Sequence, residues 1–247
     1  MLTFDRAQAY RRLFSEVSSS AELGDLLDTV TREMGFAYFA LTHHVDIRRN
    51  PDKAIRLLNY PGEWVEYYDA HSLGVSDPVH RASHVTNLAF AWSKIPDLIA
   101  LTPRDRDILA MGGHNGIGDG FTVPAHIPGE SHGSCTFANP AGIPLPGDQL
   151  PLAQLIGQYA FDTARRLWQV RPAEPVAALT ERQKECVVWV AAGKTDWEIS
   201  QILGIAEETV ADHLKHARDR YGGGNRTTLV ARTLYDTSIS FPEIFRN

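Results

Sequence analysis

Residues 60–78 read YPGEWVEYYDAHSLGVSDP, which sets Tyr60, Trp64 and Tyr68 four apart and follows them with Asp77 and Pro78. Phenols and an indole are hydrogen-bond donors carried on large apolar rings, and a carboxylate is an acceptor. Together they suit the polar head of a small molecule held among aromatic walls. Trp64 and Tyr68 share one face of a helix, with Tyr60 just ahead of it. The same spacing suits an aromatic core stripe, with Asp77 capping a helix that starts at Pro78.

Other chemistry is sparser. His80 and His84 stand four apart, with His71 nearby; on a helix such a pair can hold a metal, but no HExxH or CxxC accompanies them. The run GGHNGIGDG at 112–120 contains GxGxG. No strand-then-helix unit frames it, so turn glycines account for it better than a nucleotide loop. Cys135 and Cys186 are the only cysteines, each in an apolar stretch, and read as small buried residues. No metal or cofactor is expected, and a metal- or nucleotide-dependent enzyme is the rival class.

These side chains need a scaffold. A chain of 247 residues, 43% hydrophobic and 22% charged, fits two modest folded domains. No apolar run approaches the roughly 18–20 residues of a membrane span, and the start MLTFDRAQAY lacks a basic lead and an apolar h-region. A cytoplasmic protein without membrane contact is expected.

Helical spacing of Phe4, Ala7, Arg11, Phe14 and Val17 predicts a helix over 4–18; a second follows over 20–34, opened by a Ser19–Glu22 capping box and closed at Gly35. Strand patterns occupy 36–45 and 54–59, and EWVEYYDAH makes a short helix. Thr102-Pro103 with Asp105 starts another helix and Gly112-Gly113 stops it. FTVPAHI and GSCTFAN read as antiparallel strands, and 148–168 as a long helix with Leu155, Ile156, Tyr159, Thr163 and Leu167 on one stripe. The first domain, 1–168, is therefore α+β, with helices around a central antiparallel sheet. Residues 169–178, QVRPAEPVAA, have a linker's composition. Beyond them 179–247 is all-α, with helices over 180–192, 195–203, 207–221 and 227–237.

A net charge of −6 argues against nucleic acid, because affinity for DNA comes from Lys and Arg on phosphates. Residues 179–247 are closer to balance, with nine Lys and Arg against ten Asp and Glu. There Thr180 with Gln183, and Thr195 with Glu198, form two capping boxes; Gly204 makes a turn, and the next helix carries Val210, Leu214, Ala217 and Tyr221 inward. Two helices joined by a tight glycine turn make a helix-turn-helix. The run from Leu179 through LTERQ, GKTDWEI, TVADHL and GNRTTLVA closely resembles the DNA-binding domain of LuxR-type transcriptional regulators, without a gap over 179–235.

That resemblance implies that the helix 207–221 lies in the major groove of an operator. Thr209, Ala211, His213 and Lys215 then occupy the base-contact positions, while Lys194 and the amides at Thr195 hold a phosphate. Three departures stand out. Ala206 takes the place of the usual capping Ser, Glu208 and Asp212 put carboxylates on the outward face, and Gln183 replaces a Glu. A two-fold operator needs two recognition helices about 34 Å apart. A homodimer on a palindromic site is therefore expected, through the 148–168 stripe, the 227–237 helix, or both.

The pattern Y-x3-W-x3-Y-x8-DP, with Trp92 fifteen residues past Asp77 and the glycine of DGFTVP, resembles the autoinducer-binding domain of the same family over about residues 1–168. The resemblance implies an N-acyl homoserine lactone, acyl or aryl, as effector in quorum sensing. Trp64 would donate to the lactone carbonyl, Asp77 accept the amide N–H, and Tyr60 donate to the acyl carbonyl. Thr136 would assist from the sheet, Trp92 pack on the lactone, and Tyr68 lie along the acyl chain. Val79 stands where some relatives have a hydroxyl. A different small amide suits the same polar trio. A phosphorylated receiver does not fit, because the helical start lacks the acidic pair that holds Mg²⁺.

Overall fold

The structure is a computed structural model that describes residues 2–45, 54–127, 130–168 and 178–245. The chain divides into two compact units, one of residues 1–127 and 131–170, the other of 128–130 and 171–247. Most of the proposed linker, 169–177, lies outside the described residues. No helix among the described residues is long and apolar enough to cross a membrane.

In the first unit five antiparallel strands stand in the order β2-β1-β5-β4-β3, with β1 at Tyr38–His43, β2 at Arg56–Leu58, β3 at Phe90–Ala91, β4 at Asp119–Ala125 and β5 at Gly133–Asn139. Side chains alternate across the sheet. Phe39, Leu41, Phe121, Val123, Cys135 and Phe137 fill one face, where they are buried beneath α1 (Leu2–Glu16), α2 (Ser20–Glu33) and the long helix near the end of the unit, Leu150–Leu167. Ala40, Thr42, Thr122, Ser134 and Thr136 fall on the other face, which carries α3 (Gly62–Ala70), α4 (Pro78–Ser83), α5 (Ile95–Leu98) and α6 (Pro103–His114).

Local signals place most helix ends. Thr102 and Asp105 form the capping box of α6, with Pro103 in its first turn. Ser19 caps α2, but Glu22 bonds the amide of Ser18, at 2.8 Å, one residue short of a reciprocal box. Gly112 and Gly113 do not stop α6. The helix continues to His114, and Gly116, at φ +90°, makes the turn. The glycine run therefore joins a helix to a strand, the reverse of a nucleotide loop's order. In α1 Tyr10 is buried and Arg11 exposed. In α7, the helix Leu150–Leu167, the buried stripe is Leu152, Ile156, Ala160 and Ala164; Leu155, Tyr159 and Leu167 only flank it. Both cysteines are buried, and burial raises the Cys186 thiol to about 11.

The second unit packs α8 (Glu181–Ala191), α9 (Asp196–Leu203), α10 (Glu207–Arg220), α11 (Arg226–Tyr235) and α12 (Phe241–Ile244) around Cys186, Val187, Ile199, Val210, Leu214 and Leu229. Gly204 ends α9 in the left-handed region, at φ +66°, which only a residue without a Cβ adopts freely. Thr180 with Gln183 and Thr195 with Glu198 form the two expected boxes.

Candidate functional site

Between the sheet and helices α3, α4 and α6 lies a cavity of about 840 Å³, open mouth included. Tyr60, Trp64, Tyr68, Asp77, Trp92 and Thr136 all line it, so one space gathers six residues drawn from 77 positions of chain. Val79 lines it too. Trp64 stands edge-on to Tyr68 with ring centroids 5.7 Å apart, and Tyr60 edge-on to Tyr38 at 6.1 Å.

Asp77 does two jobs at once. Its Oδ1 accepts the Val79 amide at 2.7 Å and caps α4, while Oδ2 accepts the Tyr68 hydroxyl at 2.8 Å. The core-and-cap reading and the binding reading of this motif are therefore not exclusive. Burial first, and then the Asp77 charge, push the Tyr60 and Tyr68 phenols far up, so both stay protonated donors. Among the described residues neither the Tyr60 hydroxyl nor the Trp64 indole has a hydrogen-bond partner. Both residues line the cavity, where these donors are free to meet an acceptor.

Opposite them a short relay runs along the sheet. The Trp92 indole donates to Thr122 at 2.9 Å, and Thr122 shares a 3.0 Å bond with its register partner Thr136. When Thr122 donates onward, the Thr136 hydrogen is left for the cavity. A Cβ on Gly120 would lie 2.6 Å from the Trp92 ring, so the glycine lets the indole lie flat on the strand.

The histidines are not grouped as the sequence suggested. His71 ends α3 and bonds the Tyr67 carbonyl. His80 and His84 instead meet His44 and His132: His80 stacks on His44 at 3.8 Å, and His44 Nδ1 is 2.8 Å from His84 Nε2. Burial, then the neighbouring rings, hold His44 well below the usual histidine range and His84 at about 4. His44 and His84 are therefore neutral at neutral pH. Among the described residues no group of three or more His, Cys, Asp or Glu is arranged to hold a metal.

In the second unit α10 buries Val210, Leu214 and Ala217 and exposes Thr209, Ala211 and Lys215, with His213 half-buried. At 3.6 residues per turn Thr209 and His213 share one flank and Ala211 and Lys215 the other, with Glu208 and Asp212 between. Ahead of α9 the Thr195 amide and hydroxyl both donate to Glu198, and Lys194 Nζ lies 3.3 Å from the same carboxylate. This terminus is thus partly satisfied from within, by Glu198.

Two family models match. Residues 19–164 match the autoinducer binding domain, and residues 177–233 match the bacterial regulatory proteins of the luxR family. The chain belongs to the LuxR family. It is an autoinducer-binding transcriptional regulator with a helix-turn-helix, and this family consists of regulators and not of enzymes. It is similar to the transcriptional activator protein AhyR of Aeromonas hydrophila, at 28% identity over 92% of this chain and 90% of that one. It is also similar to the quorum sensing-dependent transcriptional regulator RpaR of Rhodopseudomonas palustris, at 33% identity over 71% of each. In fold it resembles the crystal structure of Escherichia coli SdiA, with a TM-score of 0.64, 24% identity, and coverage of 96% of this chain and 98% of that one.

The LuxR-type recognition helix of this chain carries an uncapped end. Ala206 stands at the N-cap of α10 and makes no side-chain bond. Ala206→Ser is expected to raise the stability of the helical unit by about 1 kcal/mol, through a hydroxyl that accepts a first-turn amide. Urea denaturation of the two proteins checks this, and an unchanged midpoint counts against it.

Sequence reasoning missed the cavity residues Thr42 and Arg56, placed His80 with other histidines and not in the cavity, and missed Thr122, which supports Thr136 from the neighbouring strand. Thr122 lies in a predicted strand, but its bond to Thr136 follows from register, which neither segment specifies alone.

Proposed function

We propose that the effector of this regulator is an N-acyl homoserine lactone and that it controls binding of a homodimer to a palindromic operator in the cytoplasm. The observation that carries the reading is a mostly apolar cavity into which two unpartnered donors, Tyr60 and Trp64, and one carboxylate, Asp77, converge. A lactone carbonyl, an acyl carbonyl and an amide N–H are two acceptors and one donor. Trp64 then serves the lactone carbonyl, Tyr60 the acyl carbonyl and Asp77 the amide. Thr136 assists from the sheet, Trp92 covers the lactone and Tyr68 borders the chain. Small-molecule sites commonly combine apolar walls with a few placed polar groups in this way.

Residues 1–168 form the sensing domain in this reading, 169–178 the linker, and 179–247 the DNA-binding domain. Lys194 and Thr195 set the register on phosphate, while Thr209, Ala211, His213 and Lys215 read bases. The test is mass spectrometry of small molecules extracted from the protein after expression beside a panel of lactone synthases. A retained acyl-homoserine lactone at stoichiometric level is expected. Recovery of some other small molecule, or of nothing across the panel, overturns the reading.

A further inference from the structure

Beyond the polar trio the cavity changes character. Ala40, Thr136 and Thr122 lie in one cross-strand row of the sheet, and the next row on the same face is Arg56, Thr42 and Ser134. The two rows are roughly 7 Å apart, two residues along each strand. Hydrocarbon would be the bland lining for the far end of an acyl-chain site. Here Thr42 and Arg56 line the cavity and are direct cross-strand partners. His80 lines it as well.

Each of these residues has hydrogen-bonding capacity to spare. Arg56 spends one N–H of each terminal nitrogen on Asp69, at 2.9 and 2.8 Å, which neutralises its charge and leaves its remaining N–H groups. The Thr42 hydroxyl has no partner among the described residues. His80 Nδ1 lies 2.9 Å from the Gly74 carbonyl, which only accepts, so Nδ1 carries the hydrogen, and in that imidazole tautomer Nε2 is an acceptor with no partner among the described residues. The ring is fixed in place by its stack on His44, whose Nε2 in turn bonds Ser134 at 2.9 Å, the residue beside Thr42 in the row.

A carbonyl would satisfy only the donors, and a carboxylate would face both the Asp69-paired guanidinium and the His80 lone pair. A hydroxyl both accepts and donates. Resting on the lactone reading above, we infer that the ligand's acyl chain carries a hydroxyl at its far end, which accepts from Thr42 or Arg56 and donates to His80. A saturated chain would instead bury these groups without partners. Sites built to bond a hydroxyl reject the analogue that lacks it far more strongly than apolar pockets discriminate a methylene.

The test is calorimetry of the full chain with N-acyl homoserine lactones of four to ten carbons, each in saturated and terminally hydroxylated form. At the best chain length the hydroxylated member is expected to bind at least about tenfold tighter than its saturated partner. Thr42→Val should erase most of that preference while keeping affinity for the saturated member, and Thr42→Ser should retain it. Should lactones bind but the saturated members bind as tightly at every length, the hydroxyl inference falls and the lactone reading stands. Equal preference in Thr42→Val and the parent overturns the assignment of Thr42 to the hydroxyl. If no lactone of either series binds, the lactone reading falls and takes this inference with it.

Discussion

Asp77→Asn is expected to weaken lactone binding by about tenfold to more than a hundredfold while leaving the ligand-free melting temperature almost unmoved. The capping role survives, because the Asn side-chain oxygen can accept the Val79 amide as Asp77 Oδ1 does, and Asn caps helices about as well as Asp. The other end of the side chain changes sign. Oδ2, which now accepts from Tyr68, becomes an N–H₂ group, a donor facing the ligand's own amide donor. A hydrogen bond to a charged group contributes roughly 1.5–3 kcal/mol, and 1.4 kcal/mol is one decade of affinity. Calorimetry and thermal melts on the two proteins decide it. Unchanged affinity would leave Asp77 as a cap alone, and a large drop in the ligand-free melting temperature would mean that the Tyr68 bond holds the domain together.

Lys215→Ala is expected to cost about 1–3 kcal/mol on the regulator's selected operator, the range for a side chain that reads a base edge, and to relax preference at one position of the site. Lys215 is exposed on α10 and has no ion-pair partner among the described residues, so its charge is available. Lys194→Ala should do less. Its ammonium already faces Glu198 at 3.3 Å, so phosphate must compete for it. The loss should fall alike on all sequences and reduce the salt slope by about 1. Anisotropy titrations on selected and random duplexes over a range of salt separate the two. Equal losses on both duplexes for Lys215→Ala would remove it from base reading.

The sequence by itself determined most of the helix caps, which are settled within three or four residues, the Ser19–Glu22 pair being an exception. Thr180 with Gln183 and Thr195 with Glu198 form the boxes their spacing predicts, Thr102 with Asp105 starts α6 as expected, and Gly204 takes the left-handed turn between α9 and α10. Such bonds form inside one turn of helix and need nothing from the rest of the chain. The six aromatic and polar residues of the cavity were legible for a different reason. Their spacing matches a family pattern, and their shared location was supplied by the resemblance, not by the spacing.

Only the tertiary structure decided what depends on pairing distant segments. The Thr122–Thr136 bond, the Arg56–Thr42–Ser134 row and the stack of His80 on His44 each require a particular strand register. A slip of one residue would turn those side chains to the opposite face. Gly112 departs from its local reading too. Read locally it is a stop, but α6 runs through it to His114, and the turn falls at Gly116, at φ +90°. Asp77 is the clearest case. Its capping bond is local and was foreseen. Its bond to Tyr68, nine residues back on another helix, exists because the fold brings α3 and α4 against the same cavity. A local bond depends on sequence spacing alone, whereas a bond between elements depends on where packing of the whole core places them.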